Sequence, residues 1–255
     1  MAKLFDFEAV LSQLPEILKY LPTTLMTLTI AILILAVSSM IIALIIGMLL
    51  ALIKTKNIPL LKQIAGVYIS LIRGTPVIVQ LYIAYFGIPM ITKYIYQQNG
   101  WNYQSSTTSG FVYAIIALSI NESAYIAEIF RGALASVNVG QIEAASAIGM
   151  TYFQTFCRII FPEMLSVALP GLGNSFIGLI KGTSLAFVCA VVEMTAQGKI
   201  IGGRTYRYFE VYVSLAIIYW VITFVIEQGI RLIEKKMQIP DQVAKVEISE
   251  DERGV

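Results

Sequence analysis

The chain has 255 residues, 57% of them hydrophobic and 13% charged, with a mean hydropathy of +0.76 and a formal net charge of +2. Soluble domains carry roughly a quarter charged residues, so this composition points to a bilayer. There is no histidine, no basic block suited to nucleic acid and no acidic block suited to metal. The two cysteines, Cys157 and Cys189, have no metal-ligand spacing, so no metal site is expected.

The first residues lack the basic start and short apolar core of a cleaved signal peptide; Phe5, Phe7, Leu11 and Leu14 suit an interfacial helix. From Tyr20 to Ile53 no charge appears, more than the roughly 20 residues that a helix needs to cross about 30 Å of hydrocarbon. Lys54 and Lys56 end this first span, placed at about 20–53. A second span, at about 67–90, carries Arg73-Gly74-Thr75-Pro76 near its start and ends near Pro89. A polar loop follows over 93–109, with Trp101 and tyrosines suited to an interface.

The third span, 110–134, brings Asn121, Tyr125 and Glu128 onto one helix face at i, i+4 and i+7. Charge at membrane depth is costly and turns toward protein or a water-filled cavity. Arg131 is placed to pair with Glu128 at i+3, whereas Glu122 has no local partner. The connection 136–163 is too mixed to cross a bilayer. It reads as two short helices: Glu143, Ala144 and Ala145 in the first, Gly149 supplying a left-handed turn, and Thr151 capping the second, which Pro162 limits.

The fourth span, 164–192, is rich in small residues that allow close helix approach, and holds Lys181-Gly182-Thr183-Ser184 within an apolar stretch. A lysine there needs water, a carboxylate or a ligand. Residues 193–210 read as a polar connection, 208–233 as a fifth span, and 234–255 as a charged, solvated tail. The expected fold is an all-α integral membrane protein of five transmembrane helices, forming one domain over 1–233. Basic residues gather more on the side of Lys54, Lys56 and Arg158 than on the side of Lys93, Arg204 and Arg207. This small bias favours an N-terminus outside and a C-terminus in the cytoplasm. No phosphate-binding G-x-x-x-x-G-K-[ST] loop is present, and no Ser–His or Cys–His pair can form, so no catalytic residues are expected.

Glu143-Ala144-Ala145, then Gly149, Ile159 and Pro162, resemble the EAA loop of the permeases of bacterial ABC importers, with Phe161 where leucine is usual. With Arg73-Gly74-Thr75-Pro76, the segment Asn121 to Arg131 and Ile180 to Leu185 in the same order, nearly the whole chain resembles permeases of the polar amino-acid uptake family. The C-terminal half is most similar to cystine permeases. The resemblance implies the type I importer fold, and it implies that Glu143, Ala144, Ala145, Gly149, Ile159 and Pro162 couple the chain to a separate ATPase. It implies a cytoplasmic 136–163 connection, which decides the orientation more firmly than the charge bias. It further implies a substrate site drawn from Asn121, Glu122, Tyr125, Lys181, Thr183 and Ser184. A zwitterion's ammonium would suit Glu122, and its carboxylate Lys181 or the hydroxyls. The implied partners are an ATP-binding subunit dimer, which would carry the ATP and magnesium; a second permease subunit, identical or paralogous; and an extracellular or periplasmic solute-binding protein. No cofactor is expected in this chain and no nucleic acid among its partners. The reading from another class is an ion-coupled secondary transporter, which usually shows inverted repeats; the glycine-rich stretch 171–182 has no counterpart in the first half.

Overall fold

A computed structural model of the chain describes residues 26–56, 59–102 and 108–237. The expected interfacial helix at Phe5 to Leu14 and most of the charged tail lie outside these residues. The described residues are almost wholly helical and contain no strand. Five helical stretches among them are long and apolar enough to cross a membrane: Leu28–Thr55, Val77–Gln98, Gly110–Ser136, Tyr152–Cys189 and Tyr208–Lys236.

Helix α1 (Met26–Thr55) packs along much of α5 (Gly110–Ser136). The buried face of α1 is largely small, with Ala36, Ser39, Ala43 and Ala51, and α5 likewise buries Ala114, Ala117, Ala124 and Ala127. Small residues let two backbones approach, which is how helices associate where lipid offers no hydrophobic contrast. The approach is close at Gly47, where a β-carbon would lie 2.6 Å from Ile126 Cγ2 and 3.1 Å from the Ala127 backbone nitrogen. The opposite face of α1 exposes Ile30, Ile34, Val37, Ile41, Ile45 and Leu49 in one stripe. In water such a stripe would be a liability; against acyl chains it is solvated.

The second span begins later than its hydropathy suggested. Residues 59–74 form a separate amphipathic helix, α2 (Pro59–Gly74), and the chain breaks at Thr75-Pro76. Helix α3 (Val77–Tyr82) then runs through a π-helical turn, Ile83–Gly87, into α4 (Ile88–Gln98). Pro89 therefore does not end the span, and helix extends into the expected loop as far as Gln98. Pro162 behaves in the same way. Helix α7 (Tyr152–Thr155), a π-turn at Phe156–Ile160 and α8 (Phe161–Gly182) form one continuous stretch, with Pro162 in the first turn of α8. Phe161 donates to the Phe156 carbonyl, five residues back. This wider turn makes room for a proline ring that would collide with the carbonyl four residues before it in a regular α-helix.

Beyond α8 the chain tightens into a 3-10 segment, Thr183–Cys189, and Ala190 adopts a left-handed conformation with φ 58°. This segment lies against the start of α5, where a β-carbon on Gly110 would sit 1.7 Å from the Cys189 carbonyl oxygen. The expected polar connection after it is largely helical: α9 (Met194–Thr205) packs on α10 (Tyr208–Met237) through Gly198 against Leu215 and Gly202 against Tyr208. Glu193 caps α9, accepting from the Thr195 and Ala196 backbone nitrogens at 2.7 and 2.8 Å and from the Tyr219 hydroxyl at 3.1 Å. Burial pushes its carboxyl above the ordinary range, opposed by those hydrogen bonds.

Candidate functional site

Two regions carry the polar chemistry. The first is a seam along α5. Asn121, Tyr125 and Glu128 share a face, and each meets a different element. Asn121 Nδ2 donates to Gln80 Oε1 at 3.0 Å. The Gln80 amide in turn donates to the Ile72 carbonyl at 2.8 Å and to the Thr75 hydroxyl at 2.7 Å, so it closes the break between α2 and α3. The Arg73 guanidinium lies over the Tyr125 ring, 5.2 Å from its centroid. Glu128 bonds Arg131 at 2.7 Å, as expected from spacing, and also Lys54 at the end of α1. One turn away, the Tyr68 hydroxyl reaches Ser123 Oγ at 2.8 Å and the Ile120 carbonyl at 3.2 Å.

Glu122 faces elsewhere. It is buried and lies beside the Ser175 side chain of α8. Asn121 and Glu122, adjacent in sequence, thus serve two different helix contacts. Thr183 is fully buried and donates to the Ile180 carbonyl at 2.6 Å, so its hydroxyl proton is spent within its own turn. Lys181 is exposed in the last turn of α8 and Ser184 is half-buried. Of the six expected substrate residues, Asn121, Glu122 and Tyr125 stand on α5, Lys181 ends α8, and Thr183 and Ser184 begin the 3-10 segment. Gln80 in the seam and Ser175 beside Glu122 were not among the expected site residues. Gln80 is the one polar residue in the apolar run Val77–Tyr82, and that contrast was available as a signal.

The second region is the loop between α5 and α8. Helix α6 (Val139–Ala147) starts at Asn138, whose side chain accepts from the Gly140 nitrogen at 2.8 Å. Gly149 takes φ +79°, the left-handed turn anticipated from its residue type. Thr151 and Gln154 then form a reciprocal capping box at the start of α7. Ala145 is 2% exposed and points into the loop, while Glu143 and Ala144 point out. Ile159 is half-buried and Pro162 exposed. Beside Glu143 and Ala144, the loop presents Ile148, Tyr152 and Phe153 at 78%, 68% and 74% exposure. Lys56 lies 5.9 Å from the Tyr152 ring centroid, which sets the loop beside the end of α1.

This arrangement has known counterparts. The sequence pattern of the family described as the binding-protein-dependent transport system inner membrane component matches residues 43–239. The chain belongs to that family. It is similar to the probable amino-acid permease protein YxeN of Bacillus subtilis (strain 168), 44% identical over 198 residues, which cover 78% of this chain and 84% of the relative. It is also similar to the L-cystine transport system permease protein TcyL of the same organism, 38% identical over 76% of this chain and 79% of that one. Among solved structures, one described as an amino acid ABC transporter with histidines superposes with a TM-score of 0.70 at 35% identity, covering 88% of this chain and 98% of that chain. The ABC permease subunit fold, with its five membrane-length helices, is therefore the fold of this chain, and the family places it in the inner membrane.

Proposed function

We propose that this permease forms part of the translocation path of an ATP-driven importer of polar amino acids, and that L-cystine is the substrate to test first. The observation that carries the coupling half of this reading is the α6–α7 loop. It is internally braced by Ala145, Gly149 and the Thr151 capping box, yet it leaves Ile148, Tyr152 and Phe153 facing out. An exposed apolar patch rimmed by polar residues marks a contact surface, and on a connection too mixed in character to cross the bilayer we read it as a protein contact. A separate ATP-hydrolysing subunit pair would seat there and supply the energy, binding ATP and magnesium on its own residues. A second permease subunit would complete the path, and a solute-binding protein would deliver substrate at the opposite end. On this reading the loop and the C-terminus are cytoplasmic and the N-terminus is outside.

The substrate half rests on the similarity to amino-acid and cystine permeases and on Glu122. A buried carboxylate at membrane depth, beside a serine side chain, suits the ammonium of a zwitterion. Cystine, with two ammonium and two carboxylate groups, also needs cationic or hydroxyl partners, and Lys181 and Ser184 are the nearest of these in type. The test is uptake of radiolabelled L-cystine into proteoliposomes holding the assembled complex and its solute-binding protein, with ATP enclosed and ion gradients collapsed. ATP-dependent accumulation that unlabelled cystine abolishes is expected. Accumulation that instead follows an imposed ion gradient without ATP would replace this reading with a secondary transporter.

A further inference from the structure

The bundle end that carries the coupling loop also holds a cavity of about 420 Å3 at the foot of the α5 seam, where two of its lining cations meet Glu128. It lies between the end of α1, the first turns of α2 and the last turns of α5, and is lined by Lys54, Thr55, Lys62, Arg131 and Ala135. Its walls are cationic. Lys54 and Arg131 divide a single carboxylate, Glu128, between them, so one positive charge at this point is uncompensated by that group. The Arg131 bond uses Nε, and its terminal nitrogens are not part of it. Lys62 enters from α2 on the other wall. The Thr55 hydroxyl donates to the Ala51 carbonyl at 2.8 Å, so toward the cavity its oxygen offers only an acceptor.

The depth of the cavity matters as much as its charge. Lys54 is in the last turn of α1, and Arg131 lies little more than a turn from the end of α5. Both therefore sit where a span leaves the hydrocarbon and meets headgroups. Around Lys62, on the same two turns, Leu60, Leu61 and Ile64 are exposed, so apolar surface adjoins the cations. A cationic cavity between helix ends, with apolar helix surface beside it, suits an amphipathic anion. We infer that this cavity binds the phosphate of an anionic phospholipid headgroup, in the leaflet on the coupling-loop side. The Arg131 terminal nitrogens, outside its bond to Glu128, and the Lys54 and Lys62 ammonium groups offer charge-assisted donors to the free oxygens of a phosphodiester.

The leaflet named here rests on the proposed orientation, but the binding does not, so the test is made without transport. The intact complex in detergent is mixed with phosphatidylglycerol or phosphatidylcholine, and retained lipid is counted by native mass spectrometry. Preference for phosphatidylglycerol is expected, with Lys62→Gln reducing it about five-fold, the weight of one cation at a membrane surface. Glu128→Gln, which removes the competing carboxylate, should increase the preference. Because Lys62 is exposed, Lys62→Gln leaves the packing intact and remains decisive if the Glu128 variant does not fold. Equal retention of both lipids, or a preference that Lys62→Gln leaves unchanged, would overturn the proposal. Displacement of phosphatidylglycerol by inorganic phosphate at equal concentration would show a site for free phosphate and would overturn the lipid assignment.

Discussion

At the scale of single residues, Gly149 and Glu122 make the sharpest demands. Gly149 has no atom within 4 Å of where a β-carbon would stand, so space does not restrict it; its φ of +79° does. An L-residue in that region costs roughly 1–2 kcal/mol, less for asparagine. Gly149→Asn should therefore transport close to the parent rate, and Gly149→Val should be severely impaired while still reaching the membrane. Uptake normalised to membrane content measures both, and equal rates for the two variants would mean the turn is not needed. Glu122→Gln keeps an oxygen for the Ser175 hydroxyl and removes the charge. If Glu122 meets a substrate ammonium, a hydrogen bond to a charged group is worth roughly 1.5–3 kcal/mol. Uptake at limiting substrate should then fall about ten- to a hundred-fold, with the complex still assembled. Unchanged uptake would remove Glu122 from the site. The turn at Gly149 was legible in the sequence because few residue types tolerate it. The partners of the α5 seam were not. Asn121 meets Gln80 from a helix far away in the chain, and helical spacing reports which residues share a face but not what stands opposite.

At the scale of elements, what the sequence revealed depended on whether the signal was apolar length or a breaker. Long apolar runs located the five spans, several of them in spite of charges within them, because a bilayer accepts few charges. The second span was expected to end near Pro89, and Pro162 to limit the second loop helix, yet each proline follows a π-turn that carries the helix on. A proline marks a missing donor and a steric clash, and residue type does not show that a wider turn relieves the clash. Residues 194–205 looked like a connection because they are polar, but glycines that admit Leu215 and Tyr208 let them pack as a helix on α10. The same packing logic gives a prediction for α1. A side chain at Gly47 would meet the β-carbon of Ile126 at 2.9 Å and the α5 backbone, not merely a flexible tip. Gly47→Leu should destabilise the α1–α5 pair by roughly 1–3 kcal/mol, whereas Gly66→Leu, on an open face of α2, should not. Thermal unfolding of the purified complex distinguishes them; matching midpoints would contradict the close approach.

At the scale of the whole molecule, the account makes one claim about sides and one about energy. With exposed Cys157 replaced by serine, a cysteine at Asn102 should react with an impermeant maleimide from outside intact cells, and one at Ser146 only after permeabilisation. The reverse pattern would invert the proposed topology and with it the direction of transport. The energetic claim is that closure of a separate ATPase acts on the spans through the α6–α7 loop. Ala145 braces the loop from within, so substitutions there would confuse folding with docking. Ile148 and Phe153 are mostly exposed within this chain, so Ile148→Asp and Phe153→Asp remove little that the permease itself needs. The most direct measurement takes the two variants and the parent, pulls down each permease, quantifies the co-purified ATPase, and follows ATP hydrolysis and uptake in the same proteoliposomes. The account predicts that both variants reach the membrane, lose the ATPase or hydrolyse ATP without uptake, and transport at a few per cent of the parent rate or less. Parent-level uptake by both variants, with the ATPase still bound, would contradict it.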